Sequence, residues 1–326
     1  MLSSVAERVY WLGRYLERVE NAARLINVYS TMLLDLPSGS HIGWSLLIDI
    51  TGANEDYQRA HQSVDEKQVV KFLLAEGRNP ASVINCVSMM RENARTTREI
   101  IPSEAWELIN NLYLTLREDF SRTISRRLRQ QALETAIGDC QRIFGVLTGC
   151  MNHDTAFAFI QLGRKIERAD MTSRIVDVGS ISMLPAYSRT TKQKRFLEPH
   201  ENIVWMNVLR CVSGYQAYRQ RTQSQVKGED VVKFLLQDQA FPRAGLLSRR
   251  HRAASRQAAE ECRRAEGSRQ SQEGDARCQC RRPARKRLAR VHRRAANLHR
   301  GYPRGDQQHL VPPGRAAQEG LSPRAQ

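Results

Sequence analysis

One charged helical motif occurs twice in this chain. Residues 11–28 read WLGRYLERVENAARLINV and residues 161–178 read QLGRKIERADMTSRIVDV, so identical residues recur at an offset of 150 positions. A repeat of this kind constrains the architecture strongly, because each copy is expected to form the same structural unit. The matching pairs are Leu12/Leu162, Gly13/Gly163, Arg14/Arg164, Glu17/Glu167, Arg18/Arg168, Arg24/Arg174 and Val28/Val178, and Glu20 corresponds to Asp170.

The repeat continues beyond the motif. The hexapeptide VVKFLL occurs at 69–74 and again at 231–236, and Trp44 and Trp205 precede it at similar distances. Each copy therefore runs in the order motif helix, connector, Trp-led helix and VVKFLL helix. This shared order predicts a tandem internal duplication.

The two copies are expected to differ in length. Copy one spans about residues 1–150, and copy two spans residues 151–243 in truncated form. Copy two carries an insert over 179–204 that contains two prolines and a cluster of basic residues. This composition predicts a loop.

Apolar residues follow helical spacing along most of residues 1–243. The stretch 81–99 and a stretch that begins at Ser103 predict two further helices. No segment shows the sustained apolar–polar alternation that is typical of strands. We therefore predict an all-α helical bundle. In the first motif helix the apolar face comprises Val5, Val9, Leu12, Leu16, Val19, Ala23 and Ile26.

The motif helix also carries a broad polar face opposite the apolar one. Apolar side chains nevertheless surround more than half of the helix, which predicts a central rather than a peripheral position. Gly13 and Gly163 each cost about 1 kcal/mol in a helix interior, so we expect a close approach between two helices to offset that cost. The polar face comprises Arg14, Glu17, Arg18, Asn21 and Arg24.

Two interpretations of the motif remain open. In the structural one, two helices cross at the glycines and Glu17 and Glu167 pair with arginines across the interface, or, more plainly, the charged face is solvated. In the functional one, four arginines converge to hold a phosphate, a carboxylate or a peptide C-terminus. Those arginines are Arg14, Arg18, Arg164 and Arg168, and the predicted i,i+4 ion pairs are Glu20–Arg24 and Asp170–Arg174.

Few catalytic constellations are present. Residues 1–243 contain no ExxH or HExxH pattern and no GxxxxGK[ST] or GxGxxG loop, so we expect neither a metal site nor a cofactor. Proton transfer by Glu17 or Glu167 would need burial to raise the pKa, whereas the neighbouring arginines lower it. The pair His153-Asp154 is interpreted as a helix cap rather than as a catalytic dyad.

The sequence changes character after Arg243. Residues 244–326 contain 19 Arg but a single Lys, and no Phe, Trp, Met, Ile or Thr. Most of the net charge of +17 lies there, because residues 1–243 hold 31 basic and 27 acidic residues against 20 and 7 in the tail. A composition with many arginines and almost no lysine is expected when a GC-rich gene is translated in the wrong reading frame.

Three interpretations of this tail follow. The favoured one is a frameshifted or artefactual C-terminus. The second is a genuine disordered, arginine-rich tail that binds nucleic acid through phosphate contacts. A folded domain is the least supported, because the apolar content is too low to offset the entropy of ordering.

A cytoplasmic location is expected. The chain has no apolar run of about eighteen residues, and Glu7 and Arg8 interrupt the N-terminus before a signal peptide could form. Cysteines scattered along helical segments are interpreted as small core residues in a reducing compartment. These are Cys86, Cys140, Cys150 and Cys211.

The doubled LGRxxERxxxxxR pattern, with the VVKFLL and FPR segments, resembles the bacterial alpha-E family. The resemblance covers about residues 1–243, and the name-giving Glu-Arg motif falls on Glu17, Arg18, Glu167 and Arg168. Members of that family continue after FPR with another apolar helix, and this chain departs from them there. Their genes tend to lie beside circularly permuted ATP-grasp proteins and transglutaminase-like cysteine peptidases.

The resemblance implies a helical component of a peptide-ligating or peptide-modifying system, and our first hypothesis is that this component is a non-catalytic partner. Its partner would be an ATP-grasp ligase, a transglutaminase-like protein or a peptide substrate. The first alternative is an enzyme that processes a peptide or a carboxylate at the paired Glu-Arg motifs. The second is nucleic-acid binding through the basic tail.

Overall fold

The computed structural model describes five segments of the chain, and all regular structure within them is α-helical. The all-α prediction is therefore confirmed for those segments. The tail 244–326 and most of the insert 179–204 lie outside these segments. No helix within the described segments is long and apolar enough to cross a membrane. The described segments are 1–35, 43–121, 125–183, 201–222 and 225–243.

The helices in these segments range from seven to 33 residues in length. Their bounds, in chain order, are α1 Ser3–Asp35, α2 Ser45–Thr51, α3 Asn54–Ala60, α4 Glu66–Leu74, α5 Val83–Arg95, α6 Ser103–Ser121, α7 Arg126–Cys150, α8 Thr155–Met183, α9 Glu201–Cys211, α10 Tyr215–Arg221 and α11 Gly228–Gln237.

Two series of helices follow the same order. Helices α1 to α4 and helices α8 to α11 each consist of one long helix followed by three short ones, with α5 to α7 between the two series. The VVKFLL segments lie in α4 and α11, the last helix of each series. The order of elements thus follows the sequence repeat, while the duplication itself stays a prediction.

Helix α1 lies inside the bundle, where it packs against α8, α5, α7 and α9. From Val9 onwards its apolar stripe is buried, and Glu17 and Glu20 are 0% and 1% exposed, whereas Arg14 and Arg18 on the polar face are half-buried. The predicted central position of the motif helix is therefore confirmed. Because buried charges are costly when unpaired, the acidic groups of α1 must find partners inside the protein.

Helix α5 covers only part of the helix predicted over 81–99. It begins after Ser82, whose hydroxyl accepts a hydrogen bond from Asn85 N, and it ends at Arg95, where turns take over. The helix predicted from Ser103 is confirmed as α6.

Helix α8 carries the second motif. Asp154 precedes it and accepts hydrogen bonds from two backbone N–H groups of the first turn, so the cap interpretation is confirmed. At its other end α8 continues to Met183, and α9 already begins at Glu201. The loop prediction is therefore wrong at both ends of the insert, because the prolines that stop a helix lie further inside it.

Three of the four cysteines in residues 1–243 are buried, namely Cys86, Cys140 and Cys211. Burial raises the pKa of Cys86 and of Cys211 to about 12, so these thiols stay neutral. The core prediction is wrong for Cys150, which is exposed because it is the last residue of α7, beyond the packed face that ends at Leu147.

Candidate functional site

The two motif helices, α1 and α8, cross where each carries its glycine. A Cβ atom added to Gly13 would collide with the backbone oxygen of Ile160, and one added to Gly163 would collide with that of Tyr10. Because each glycine has no side chain, the backbone of the opposite helix can lie against it. This close approach brings the two Glu-Arg motifs into direct contact.

Glu167 of α8 accepts three hydrogen bonds from α1. Arg14 Nε lies 2.5 Å from Oε2, while Arg18 donates from Nε to Oε1 at 2.6 Å and from Nη2 to Oε2 at 2.9 Å. The fork formed by Arg18 is bidentate, which is the strong geometry for a guanidinium and a carboxylate.

Glu17 of α1 makes the reciprocal contacts with α8. Arg164 Nε donates to Oε2 at 2.8 Å, and Arg168 donates from Nε to Oε1 and from Nη2 to Oε2, both at 2.8 Å. Each motif glutamate therefore binds the two arginines of the opposite motif. We call this set the ion-pair clamp, and it comprises Arg14, Glu17, Arg18, Arg164, Glu167 and Arg168.

The clamp differs from both the solvated face and the single anion site considered from the sequence. The face is not solvated, since Glu17 is 0% and Glu167 is 3% exposed. The four motif arginines do not converge on one point either, because they divide into two pairs with a glutamate between each. The arrangement corresponds to the crossing helices of the structural interpretation.

Arg243 joins this cluster from the far end of the described chain. Its Nη1 donates to Glu17 Oε1 at 3.0 Å and to Asn21 Oδ1 at 2.7 Å, and its Nη2 donates to Glu20 Oε1 at 2.9 Å. The sequence reasoning did not select this residue. The available signal was the FPR segment, in which a single arginine follows an aromatic residue and a proline.

Glu20 extends the cluster along α1. It accepts hydrogen bonds from Arg24 Nη2 at 2.8 Å and from Arg164 Nη2 at 3.4 Å, in addition to Arg243. The predicted i,i+4 pair of Glu20 and Arg24 therefore forms, in a buried setting.

The other predicted i,i+4 pair lies at the edge of the cluster. Arg174 donates to Asp170 Oδ2 from both Nε and Nη2, at 3.1 and 2.9 Å, and its Nη1 donates to Thr51 O at 2.6 Å. Arg174 thereby ties the second motif to the end of α2.

Electrostatics hold Glu17 in its charged form. Burial raises the pKa of Glu17, but the hydrogen bonds and charge of Arg168, with the charges of Arg243 and Arg164, lower it to about 2. A carboxylate this acidic is fully ionised near neutral pH and makes a poor general base or acid. Ion pairing is the role that fits it.

The arginines fall into two electrostatic classes. Burial lowers the pKa of Arg14 and Arg18, yet the charge and hydrogen bonds of Glu167 raise both above the ordinary value. Burial also lowers the pKa of Arg164 and Arg243, and here the glutamates do not restore it, so that of Arg243 falls to about 10. Positive charge is therefore less well compensated around Arg164 and Arg243.

One edge of the clamp reaches the surface through aromatic residues of α1. The rings of Trp11 and Tyr15 stack with centroids 5.4 Å apart, and the guanidinium carbon of Arg14 lies 5.6 Å from the Trp11 ring centroid. Trp11, Tyr15 and Arg18 are half-buried, and the Arg18 side chain is 23% exposed. We call Trp11, Arg14, Tyr15 and Arg18 the aromatic edge.

The described residues near the clamp include two thiols but no cluster of metal ligands. Among the described residues no group of three or more His, Cys, Asp or Glu side chains is placed to hold a metal ion. Burial raises the pKa of the nearby Cys86 and Cys140 thiols, so neither is a ready nucleophile.

Fold and site together define a class of protein, an all-α domain organised around two crossing helices with reciprocal Glu-Arg pairs. The chain belongs to the alpha-E family, whose model is described as a predicted alpha-helical domain with a conserved ER motif and matches residues 1–303. The matched residues extend past Arg243 into the arginine-rich segment, farther than the resemblance predicted.

Similar proteins occur in mycobacteria. Uncharacterised proteins of Mycobacterium bovis (Mb2597) and Mycobacterium tuberculosis (MT2643) are each 23% identical over 262 residues, covering 74% of this chain. The chain spans only 28% of the length of these relatives. No solved structure matches the chain.

Proposed function

We propose that this alpha-E protein is a non-catalytic helical partner in a peptide-ligating or peptide-modifying system. It docks an ATP-grasp ligase or a transglutaminase-like protein, or their peptide substrate, through its Glu-Arg helices. The observation that carries the proposal is the saturation of both motif glutamates by arginines. A carboxylate that is buried and paired organises a scaffold rather than reacting with a substrate.

The aromatic edge is the part of the Glu-Arg helices suited to docking. Trp11 and Tyr15 present stacked rings at the surface, and Arg14 and Arg18 lie beside them, already oriented by Glu167. Aromatic residues and arginine are enriched at the centres of protein interfaces. Because the clamp holds these arginines in place, they lose little further freedom on binding.

The mycobacterial relatives give a second line of support. The segment similar to this chain occupies 28% of each relative, so in those proteins it is covalently joined to much additional polypeptide. A helical domain that works beside another protein is expected to occur both as a separate chain and in fusion with its partner.

Affinity purification of the full chain from its native host, at native abundance, tests the proposal. We expect the wild-type protein to recover an ATP-grasp ligase or a transglutaminase-like protein, and Trp11→Ala/Tyr15→Ala to lose it. Trp106→Ala/Tyr113→Ala is the matched control, because it removes two half-buried aromatic rings from α6 instead. Recovery of neither partner, or equal loss with both variants, contradicts the proposal.

The enzymatic alternative places peptide or carboxylate processing at the paired motifs. It requires Glu17 or Glu167 to exchange a proton, so Glu17→Gln and Glu167→Gln would abolish turnover and leave the melting temperature nearly unchanged. A scaffold role gives the opposite pattern, in which both variants lose stability. Loss of stability in both variants would therefore favour the structural role of the motif.

A further inference from the structure

The cluster around Glu17 and Glu20 contains more positive than negative charge. Four guanidinium groups contact these two carboxylates, and all four are buried or largely so. Uncompensated buried charge is costly, so an excess of this kind favours a bound anion. The four arginines are Arg24, Arg164, Arg168 and Arg243.

Two buried N–H groups in the same cluster have no acceptor among the described residues. They are Asn21 Nδ2 and Arg24 Nη1, on side chains that are only 3% and 7% exposed as whole residues. The orientation of the Asn21 amide follows from Arg243, which can only donate and so must face Oδ1. Nδ2 therefore points away from Arg243 and offers its own hydrogens.

The two donors lie one turn apart on α1, on the face that carries the cluster. The second motif has no equivalent of this pair of donors, because Met171 occupies the position that corresponds to Asn21. Burial and the neighbouring arginines lower the pKa of Arg243 to about 10, in keeping with unmatched positive charge here.

We propose that the Asn21–Arg24 end of the cluster binds one small carboxylate anion. Two planar NH₂ groups suit the two oxygens of a planar acceptor, and donors on residues as buried as these favour a small free anion over a peptide chain. The bound anion supplies both missing acceptors and reduces the positive charge around Arg243. The inference does not depend on the proposed docking partner.

Thermal unfolding of the full chain in four sodium salts at equal ionic strength tests the site. The salts are acetate, gluconate, chloride and phosphate. Acetate is expected to raise the melting temperature in a saturable manner by about 2–4 °C, because a ligand that binds only the folded state stabilises it. Gluconate carries the same carboxylate on a larger body and is expected to have no saturable effect.

Asn21→Asp gives an independent test, because it replaces the unpaired Nδ2 donor with a carboxylate oxygen and adds one negative charge to the cluster. We expect this variant to melt above the wild type without acetate and to lose its response to acetate. Asn111→Asp, at an exposed position of α6, is the matched control with the same change of charge and should respond as the wild type does.

Three results overturn the proposal. One is a similar shift with all four salts, which would reflect ionic strength alone. Another is a saturable shift with chloride or phosphate but not with acetate, or the absence of a saturable shift with every one of the four salts. The third is an Asn21→Asp protein that is less stable than the wild type or does not fold. If the site lacks an anion, the added negative charge should stabilise the folded protein.

Discussion

Glu17 is the residue on which three of the four arginines around Glu17 and Glu20 depend. It contacts Arg164, Arg168 and Arg243 together, and it is completely buried. Removing one member of a buried ion pair leaves the others charged and unpaired, which costs far more than the pair contributes. The stability of the protein should therefore be very sensitive to the charge at this position.

Glu17→Gln is expected to lower the free energy of unfolding by about 3–5 kcal/mol, because three guanidinium groups lose their counter-charge. Urea denaturation followed by circular dichroism measures the change. Glu55→Gln is the matched control, since Glu55 pairs with Arg59 at the surface and its loss should change stability by less than about 0.5 kcal/mol. Equal effects of the two variants would contradict the role of the clamp.

The acidity of Glu17 predicts a pH dependence of stability. The pKa of Glu17 falls from 4.5 to about 2 in the folded protein, so the unfolded chain binds its proton first as the pH decreases. The stabilisation is then complete above pH 4.5 and is lost as the pH falls towards 2. Unfolding measured from pH 7 to pH 2 should show a difference between wild type and Glu17→Gln that shrinks only below pH 4.5. A difference that shrinks near neutral pH would argue against this assignment.

At the scale of elements, the crossing of α1 and α8 is the contact that creates the site. Its geometry depends on two glycines, each facing a backbone oxygen of the other helix. A backbone atom cannot move aside as a flexible side chain can, so any side chain at these positions must separate the helices. The clamp residues would then lie too far apart for the observed hydrogen bonds.

Gly13→Ala and Gly163→Ala are each expected to destabilise the protein by about 3 kcal/mol, at the upper end of the usual cost of overpacking. Gly145→Ala is the control, because it lies in α7 with open space around its Cβ position and should stabilise by about 0.5–1 kcal/mol. Chemical denaturation of the three variants provides the comparison. Stabilisation by Gly13→Ala would show that the helices do not approach closely.

At the scale of the whole molecule, Arg243 links the end of the described chain to the central helix. It is separated from Glu17 by 226 positions in sequence and is itself 9% exposed. Its contacts hold the segment after α11 against α1. Loss of Arg243 should therefore loosen a particular region more than it unfolds the protein.

Arg243→Gln is expected to cost about 1.5–3 kcal/mol, the usual range for hydrogen bonds to charged groups. Hydrogen exchange should become faster in α11 and in residues 238–243, because their attachment to α1 is weakened. Arg221→Gln serves as the control, since Arg221 forms a half-exposed ion pair with Asp238 in the same region. Exchange that changes equally in both variants would contradict the anchoring role of Arg243.

The tail 244–326 remains a prediction about the gene product. If it is frameshifted, another reading frame across codons 236–260 should encode an apolar helix after Arg243. DNA sequencing, with mass spectrometry of the C-terminal peptide from the native host, provides the measurement. Confirmation of the given frame would instead favour the arginine-rich tail, whose DNA affinity should then fall steeply with salt and disappear on deletion of 244–326.

The sequence alone determined the helical architecture and the elements that matter. Apolar periodicity predicted α1, helix-start signals predicted α6 and the cap of α8, and apolar residues around the motif helix predicted its central position. The internal repeat singled out the glycines and the charged residues. These properties can be predicted because apolar periodicity and helix-start signals depend on neighbouring residues within one element.

Only the tertiary structure decided which charges meet. Arg14 could have bound Glu17 at i,i+3 on its own helix. Instead Arg14 and Arg18 bind Glu167, and Arg243 reaches Glu17 and Glu20 from the other end of the described chain. A helical pattern can place a charged side chain on a central helix, but it does not show which partner neutralises the charge. That choice depends on how closely two helices cross, and the crossing depends on contacts between residues far apart in sequence.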